Sequence, residues 1–231
     1  MKLSGLKNYF TGFEIALWVS SVILIVVSFL FSGSGEFLNL IASLVGVTSI
    51  ILCAKGNPNG LLIMILFSIL YGTVSFAFAY YGETITYLGM SAPMSVVAYI
   101  AWKRNSYKAG KSEVKVGTLE KKHILTVSFL AVPVTVFFYF ILKYFNNANL
   151  IPSTLSITTS FVAAYFSFVR SPLFALAYAV NDAVLIVLWI LAAMVDVSYI
   201  SVIVCFIVFL VNDLYSFCNW CRMAKRQKNQ P

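Results

Sequence analysis

Apolar residues along this chain occur in long, nearly unbroken runs rather than in the short periodic patterns of a water-soluble fold. Each run is close to the roughly 20 residues that a helix needs to cross the hydrocarbon core of a bilayer. Backbone groups in hydrocarbon must be paired within their own segment, so such runs indicate helices. The connections between them are short and rich in Gly, Asn and Pro. The pattern predicts eight transmembrane helices, at residues 14–32, 37–53, 60–80, 84–102, 123–144, 150–168, 172–194 and 198–218.

The composition excludes a water-soluble fold. Hydrophobic residues make up 61% of the chain and charged residues 10%, and the mean hydropathy is +0.91. A soluble domain carries roughly 25% charged residues. The first run, from Glu14 to Ser32, follows a basic start but has no small-residue cleavage site, and a second run follows at once. We therefore interpret it as a retained helix rather than a signal peptide.

The basic residues predict the orientation of the helices. Of the 16 Lys and Arg residues, all but Lys143 fall beside predicted helix ends on a single side, whereas the connections on the other side carry Glu36, Glu83 and Asp196. Cytoplasmic loops are enriched in Lys and Arg, so both chain ends are predicted to be cytoplasmic. The same distribution explains the net charge of +8 without nucleic acid as a partner.

The helix pattern also predicts an internal repeat. Two stretches end on an aromatic residue followed by basic ones, at Trp102 and at Trp220. Two three-helix units that point the same way need one linking helix between them, which is a known transporter plan. The predicted division is an N-terminal tail and extra helix at 1–36, a first repeat at 37–104, a basic loop and linker helix at 105–149, a second repeat at 150–222, and a basic cytoplasmic tail at 223–231.

Polar residues inside these helices are the candidates for function, because a charge within a membrane is costly. Asp182, beside Asn181, lies about ten residues into its helix, or roughly 15 Å deep. Tyr178 and Trp189 fall on the same helix face. An acid flanked by rings suits a flat, polar or cationic ligand. Asp213, beside Asn212, is a second candidate, although its position also allows contact with water or a structural role.

Other polar positions allow a binding or a packing role. Asn212, Tyr215 and Asn219 share one face of the last helix, as a hydrogen-bonding stripe would. Tyr71 lies in the third helix, and the hydroxyls at 156, 159 and 160 in the sixth are interpreted as packing residues. For Trp102 and Trp220, a role as anchors at the membrane interface explains the sequence at least as well as a role in binding.

Cofactor chemistry is not predicted. Cys218 and Cys221 form a C-x-x-C without further ligands at zinc-binding spacing, and no glycine loop for a nucleotide or nucleophile with a base partner is present. The sequence therefore predicts neither a cofactor, nor a metal, nor catalysis. Two alternatives remain open: an intramembrane enzyme that uses Asp182 and Asp213 as an acid pair, and a membrane scaffold that transports nothing.

From residue 37 to residue 228 the chain resembles the PnuC family of vitamin transporters, relatives of the SWEET sugar carriers. The resemblance is carried by Tyr80 to Glu83, Ala92 to Met94, Trp102 to Asn105, Asn181-Asp182, and the stretch from Asn212 through Trp220 to Gln227. The chain departs from the family pattern at four positions: Phe174 and Ala177 stand where many members have a tryptophan pair, Ser95 where they often have a glutamine, and Tyr99 where they have a tryptophan.

The resemblance implies a three-plus-one-plus-three helical core, a homotrimer in the bacterial inner membrane, and facilitated diffusion of nicotinamide riboside that a cytoplasmic kinase then traps. Thiamine, riboflavin or a deoxynucleoside are alternative substrates. The substrate-binding residues expected are Asp182, Asn181, Tyr178, Trp189, Phe174, Asn212, Asp213, Tyr215, Asn219, Ser95, Tyr99 and Tyr71.

Overall fold

The structure, a computed structural model, describes residues 9–32, 37–77, 81–108, 112–147 and 149–229. Within these ranges eight helices are long and apolar enough to cross a membrane, which confirms the predicted number. Residues 78–80, predicted as the end of the third helix, lie outside the described residues. The helices are α1 (Gly12–Ser32), α2 (Phe37–Ala54), α3 (Asn59–Ala77), α4 (Tyr81–Arg104), α5 (Lys121–Tyr144), α6 (Leu150–Phe168), α7 (Leu173–Ala193) and α8 (Ile200–Asn229).

The outer surface of the bundle is apolar. Phe31, Phe129 and Val195 are more than three-quarters exposed, and large aliphatic side chains are exposed along every helix. A soluble monomer rarely exposes an apolar surface of this extent. Together with the eight apolar helices, it identifies a multi-pass membrane protein.

Packing separates a central group of helices from two peripheral ones. Helices α2, α3, α4, α6, α7 and α8 contact one another, including α2 against α8 and α4 against α6. Helix α1 packs on α8 and α2, and α5 packs mainly on α6. Only Val127 and Leu142 of α5 are buried, so this helix lies at the edge of the bundle.

Helix α4 changes its winding next to a proline. A π-helical turn at Tyr87–Ser91 separates the α-helical segments Tyr81–Thr86 and Ala92–Arg104. The N–H of Ala92 donates to the carbonyl of Tyr87, five residues back. Pro93 has no N–H to donate, and a local π turn is one of the ways in which a helix accommodates such a break.

Helix α8 ends at Asn229 rather than at the predicted residue 218 because a loop holds its last turns. The N–H of Val116 donates to Oε1 of Gln227 at 2.8 Å, and Nε2 of Gln227 donates to the carbonyl of Val114 at 3.0 Å. Arg226 pairs with Glu113. The stretch predicted as a basic tail from 223 therefore continues the helix as far as the described residues extend.

The described parts of the loop between α4 and α5 are held by backbone contacts. Ser106 and Val114 form an antiparallel bridge, and the N–H of Val114 donates to the carbonyl of Gly56 at 2.9 Å. Val114 is fully buried. The loop therefore covers the end of the bundle where α2, α4, α6 and α8 approach one another, which carries Lys55, Lys103, Arg104 and Arg170 and is called the basic end below.

Candidate functional site

A largely enclosed cavity of about 50 Å³ lies in the middle of the six central helices. Binding pockets for drug-sized molecules have volumes of roughly 300–1,000 Å³. The cavity as it stands is thus too small for a molecule of vitamin size. Six of the twelve predicted site residues line this cavity: Ser95, Phe174, Tyr178, Asn181, Asp182 and Asp213.

Two carboxyl groups from neighbouring helices face the cavity. Asp182 of α7 and Asp213 of α8 are each 5% exposed, and their side chains interact with each other. Oδ2 of Asp182 has no hydrogen-bond partner within the described part of the chain. An acid left in this state inside a membrane protein is costly. The arrangement therefore leaves Oδ2 of Asp182 available to a cationic or hydroxyl-bearing ligand.

Hydroxyl groups of α6 orient the neighbouring amide. Thr159 Oγ1 and Ser160 Oγ both donate to Oδ1 of Asn181, at 2.8 and 3.0 Å. Ser160 also lines the cavity. With its carbonyl oxygen already accepting two bonds, Asn181 offers a ligand its N–H groups. The interpretation of these two hydroxyls as packing residues missed this positioning role.

Aromatic rings close the cavity toward the basic end. Phe174 lines the cavity, and its ring centroid lies 4.8 Å from that of Trp220 and 5.8 Å from that of Trp102. The two tryptophan rings are 5.0 Å apart and fully buried. Trp102 and Trp220 are therefore core residues here, and their interpretation as interfacial anchors is wrong.

Each of these tryptophans holds the end of a helix from the other half of the chain. Nε1 of Trp102 in α4 donates to the carbonyl of Ser167 in α6 at 2.8 Å. Nε1 of Trp220 in α8 donates to the carbonyl of Cys53 in α2 at 2.9 Å. Each carbonyl also accepts from a backbone N–H three residues further on, that of Arg170 for Ser167 and that of Gly56 for Cys53, so the indole N–H is its second donor.

A second group of rings borders the cavity on the side away from the basic end. Phe67, Tyr87, Phe206 and Phe209 line it, and Tyr71 packs behind Tyr87 with a ring distance of 4.6 Å. Gly46 of α2 leaves room for this group, because a Cβ there would overlap the ring of Phe209. The sequence contained no signal for these cavity residues beyond their apolar or aromatic character.

The polar stripe of α8 faces α1 and α2 instead of the cavity. Nδ2 of Asn212 donates to Oγ of Ser21 at 2.9 Å, and Oη of Tyr215 donates to Oε1 of Glu14 at 2.7 Å. Nδ2 of Asn219 donates to the carbonyl of Ala54 at 2.8 Å. The stripe does form hydrogen bonds, as predicted, but Asn212, Tyr215 and Asn219 lie away from the residues that line the cavity.

Three further predicted site residues also lie away from the cavity. The ring of Trp189 is 5.3 Å from that of Tyr199, in a buried cluster that includes Tyr71. Tyr99 packs beside Trp102 and Phe174, and its hydroxyl accepts from Nζ of Lys103 at 3.0 Å. The tyrosine at 71 and the residues at 99 and 189 are thus neighbours of the site rather than its lining.

Of the three acids that the sequence predicted in connections on the same side, Glu36 lies outside the described residues, and the other two lie in unlike environments. Asp196 is exposed, and the N–H of Ser198 donates to its Oδ1 at 2.9 Å, which lowers the pKa of Asp196. Glu83 is 3% exposed within the first turns of α4.

Burial lowers the pKa of the Arg170 guanidinium, which lies in the connection between α6 and α7.

Comparison with known proteins agrees with this architecture. The nicotinamide riboside transporter PnuC of Neisseria mucosa is 24% identical over 199 residues, which cover 84% of this chain and 76% of that protein. A crystal structure of the vitamin B3 transporter PnuC superimposes with a TM-score of 0.82 at 22% identity, covering 98% of this chain and all of that one. This second likeness shows that the fold is shared.

The similarity to a protein family also includes the residues that line the cavity. The profile of the nicotinamide mononucleotide transporter family matches residues 36–222, which include every residue that lines the cavity. The matched residues extend from α2 to α8 and leave out α1. The chain belongs to the nicotinamide mononucleotide transporter family.

Proposed function

We propose that this protein carries nicotinamide riboside across the bacterial inner membrane by facilitated diffusion. The observation that supports this most directly is the pair of buried carboxyls, Asp182 and Asp213, at a cavity bordered by aromatic rings. The riboside combines a flat pyridinium cation with ribose hydroxyls. Aromatic faces attract cations, and carboxylates accept hydrogen bonds from hydroxyl groups.

In this proposal the cavity residues share the recognition of the two halves of the ligand. Asp182 and Asp213 bind the cation or the ribose hydroxyls, and Asn181 donates from its amide. Phe174 and Tyr178 stack on the flat ring, and Ser95 offers a further hydroxyl. The relative from Neisseria mucosa is named a nicotinamide riboside transporter, which supports the same substrate here.

Transport requires the closed site to open on each side of the membrane in turn. We propose that residues 37–104 and 150–222 form two parallel three-helix units, linked by α5, that rock against each other. Equivalent contacts between the two proposed units support this division. The last helix of each unit packs on the first helix of the other, α4 on α6 and α8 on α2. Trp102 and Trp220 form matching hydrogen bonds between the units. The basic end is proposed to face the cytoplasm.

The remaining parts of the proposal follow from the family resemblance. These are the homotrimer, the relation to the SWEET carriers, and trapping of the riboside by a cytoplasmic kinase. The exposed apolar face of α5, with Leu125 71% and Phe129 78% exposed, is available to lipid or to a second subunit.

The decisive experiment measures uptake of labelled nicotinamide riboside into kinase-free proteoliposomes. The wild type should equilibrate the label across the membrane without accumulation, and Asp182→Ala should abolish uptake while it still inserts. Asp196→Ala, which removes an exposed acid, is the matched control and should transport normally. Undiminished uptake by Asp182→Ala would reject the role of that acid.

The same vesicles distinguish the alternatives. Unlabelled thiamine, riboflavin or a deoxynucleoside should compete weakly if the riboside is the substrate. Label recovered as intact riboside excludes an intramembrane enzyme that uses Asp182 and Asp213, whereas a chemically modified product would support one.

A further inference from the structure

One face of α4 carries polar groups from its first turn down to the cavity. Glu83, Tyr87, Ser91 and Ser95 follow one another at intervals of four residues. The last three of them line the cavity. Side chains four apart lie one above the other on a helix, so Glu83 sits one turn beyond the cavity, about 6 Å along the axis.

The π turn keeps this face aligned. In a regular α-helix each step of four residues rotates the side chain by about 40° about the axis, since each residue advances by about 100°. The wider turn at Tyr87–Ser91 offsets part of that drift. The polar groups therefore stay on one side of α4 across the break next to Pro93.

Glu83 itself has no evident structural task. It is 3% exposed, and its Oε2 has no hydrogen-bond partner among the residues that the structure describes. Tyr87 follows it by one helical turn in α4, and the ring of Tyr71 lies 4.6 Å from that of Tyr87. An unpaired buried carboxylate oxygen lowers the stability of a fold. If Glu83 had only a structural role, replacing it by an apolar residue would therefore stabilise the protein.

The aromatic rings between Glu83 and the cavity pack against one another. Tyr87 lies 4.6 Å from Tyr71 and 5.7 Å from Phe67 by ring centroids, and Tyr71 lies 6.0 Å from Phe206. Tyr87 lines the cavity together with Asp182 and follows Glu83 by one helical turn in α4. It therefore lies between Glu83 and the cavity, on the side away from Trp102 and Trp220.

We propose that Glu83 is a second binding position for the cationic ring of the substrate, on the path between the cavity and the end of the bundle opposite the basic end. This inference rests on the proposed function. A cation that leaves water meets Glu83 and the faces of Tyr71 and Tyr87 before it reaches Asp182 and Asp213. Separation of these rings joins the two positions into one path.

The test compares a cation with a neutral molecule of nearly the same shape. Labelled nicotinamide riboside, which is cationic, and its neutral dihydro form are offered to proteoliposomes with wild type, Glu83→Gln or Glu83→Asp, and rates are normalised to inserted protein. Glu83→Gln should raise the half-saturating riboside concentration about tenfold, as expected when an interaction with a charged group is removed. The concentration of the dihydro form that inhibits uptake by half should not change.

Two further variants define the result. Glu83→Asp retains the charge and should keep most of the preference for the cation, and Asp196→Asn, at an exposed acid, should behave as wild type. If Glu83→Gln affects both molecules equally, or neither, the inference is wrong. If the wild type itself carries no riboside, the proposed function fails, independently of Glu83.

Discussion

The two faces of α8 differ in what their polar groups contact. One face carries a group that a ligand can reach, and the other carries groups that bond to neighbouring helices. Asp213 faces the cavity together with Asp182. Asn212, the preceding residue, is 1% exposed and donates to Ser21 of α1 and to the carbonyl of Val208. Tyr215, one turn on, donates to Glu14. Neighbouring polar residues of one helix thus serve different partners.

The contrast shows that depth in the membrane does not by itself identify a binding residue. A buried polar group needs a partner, and either a neighbouring helix or a passing solute can supply it. Glu14, at 1% exposed, accepts from the backbone N–H of Thr11, from Lys55 and from Tyr215. Oδ2 of Asp182 has no such partner within the described residues. The difference in partners separates the two roles.

The largest effect is expected from substituting the two neighbouring residues of α8 one at a time. Asp213→Ala should lower riboside uptake about a hundredfold, because the substrate would lose this buried acidic group in a site of low polarity. Asn212→Ala should leave uptake per folded molecule nearly unchanged and lower the thermal unfolding midpoint. Uptake and unfolding are measured on the same purified samples. Equal loss of uptake in both variants would contradict the division of roles between the two faces.

A smaller effect is expected at the ion pair that holds α1. Glu14→Gln leaves Lys55, 3.1 Å from Glu14 and only 20% exposed, without its counter-charge. The substitution should cost about 2 kcal/mol of unfolding free energy, in the range for hydrogen bonds to charged groups. Denaturation in detergent measures it. Asp196→Asn, at an exposed acid, is the control and should be neutral, and a large loss of riboside affinity in Glu14→Gln would contradict a purely structural role.

The indole bonds at the basic end should come next in size. Trp220→Phe keeps an aromatic ring but removes one of two donors to the carbonyl of Cys53, which still accepts from the N–H of Gly56 at 2.9 Å. The loss should cost about 1.5 kcal/mol, the upper end of the range for one hydrogen bond. Trp18→Phe is the matched control, because the Trp18 indole donates to Thr48 at an exposed position. Thermal unfolding should separate the two variants, and identical midpoints would show that the buried bond contributes nothing.

The smallest effect is expected from a single hydroxyl on the α1 face. Tyr215→Phe removes one bond to Glu14, which keeps its contacts with Lys55 and Thr11. The cost should be about 1 kcal/mol, with uptake unaffected. Lower uptake at an unchanged unfolding midpoint would return Tyr215 to the binding residues.

The helices themselves could be predicted from the sequence because the bilayer imposes a simple requirement on each segment. A run such as 150–168 is long and apolar enough to span on its own, and its predicted bounds agree with those of α6. The end of α8 could not be predicted in the same way. Its last turns are polar, and contacts with a loop more than a hundred residues earlier, through Gln227 and Val114, stabilise them.

The site was predictable only in part for a related reason. Asp182, Asn181 and Asp213 were found because polar side chains in apolar runs are conspicuous, whereas Tyr87 and Phe206 resemble any other apolar-face residue. Helical periodicity correctly grouped Asn212, Tyr215 and Asn219 on one face. It contained no information on which neighbour that face meets.

The sequence by itself determined the number of helices, the positions of Asp182 and Asp213 within apolar runs, and the family, because each depends on local composition or on residues in fixed order. Only the tertiary structure decided which of those polar groups line the cavity, that Trp102 and Trp220 are buried together, and that Glu83 lies beneath the surface. Those outcomes depend on how helices distant in the chain pack side by side, and the pattern within a single helix does not specify its neighbours.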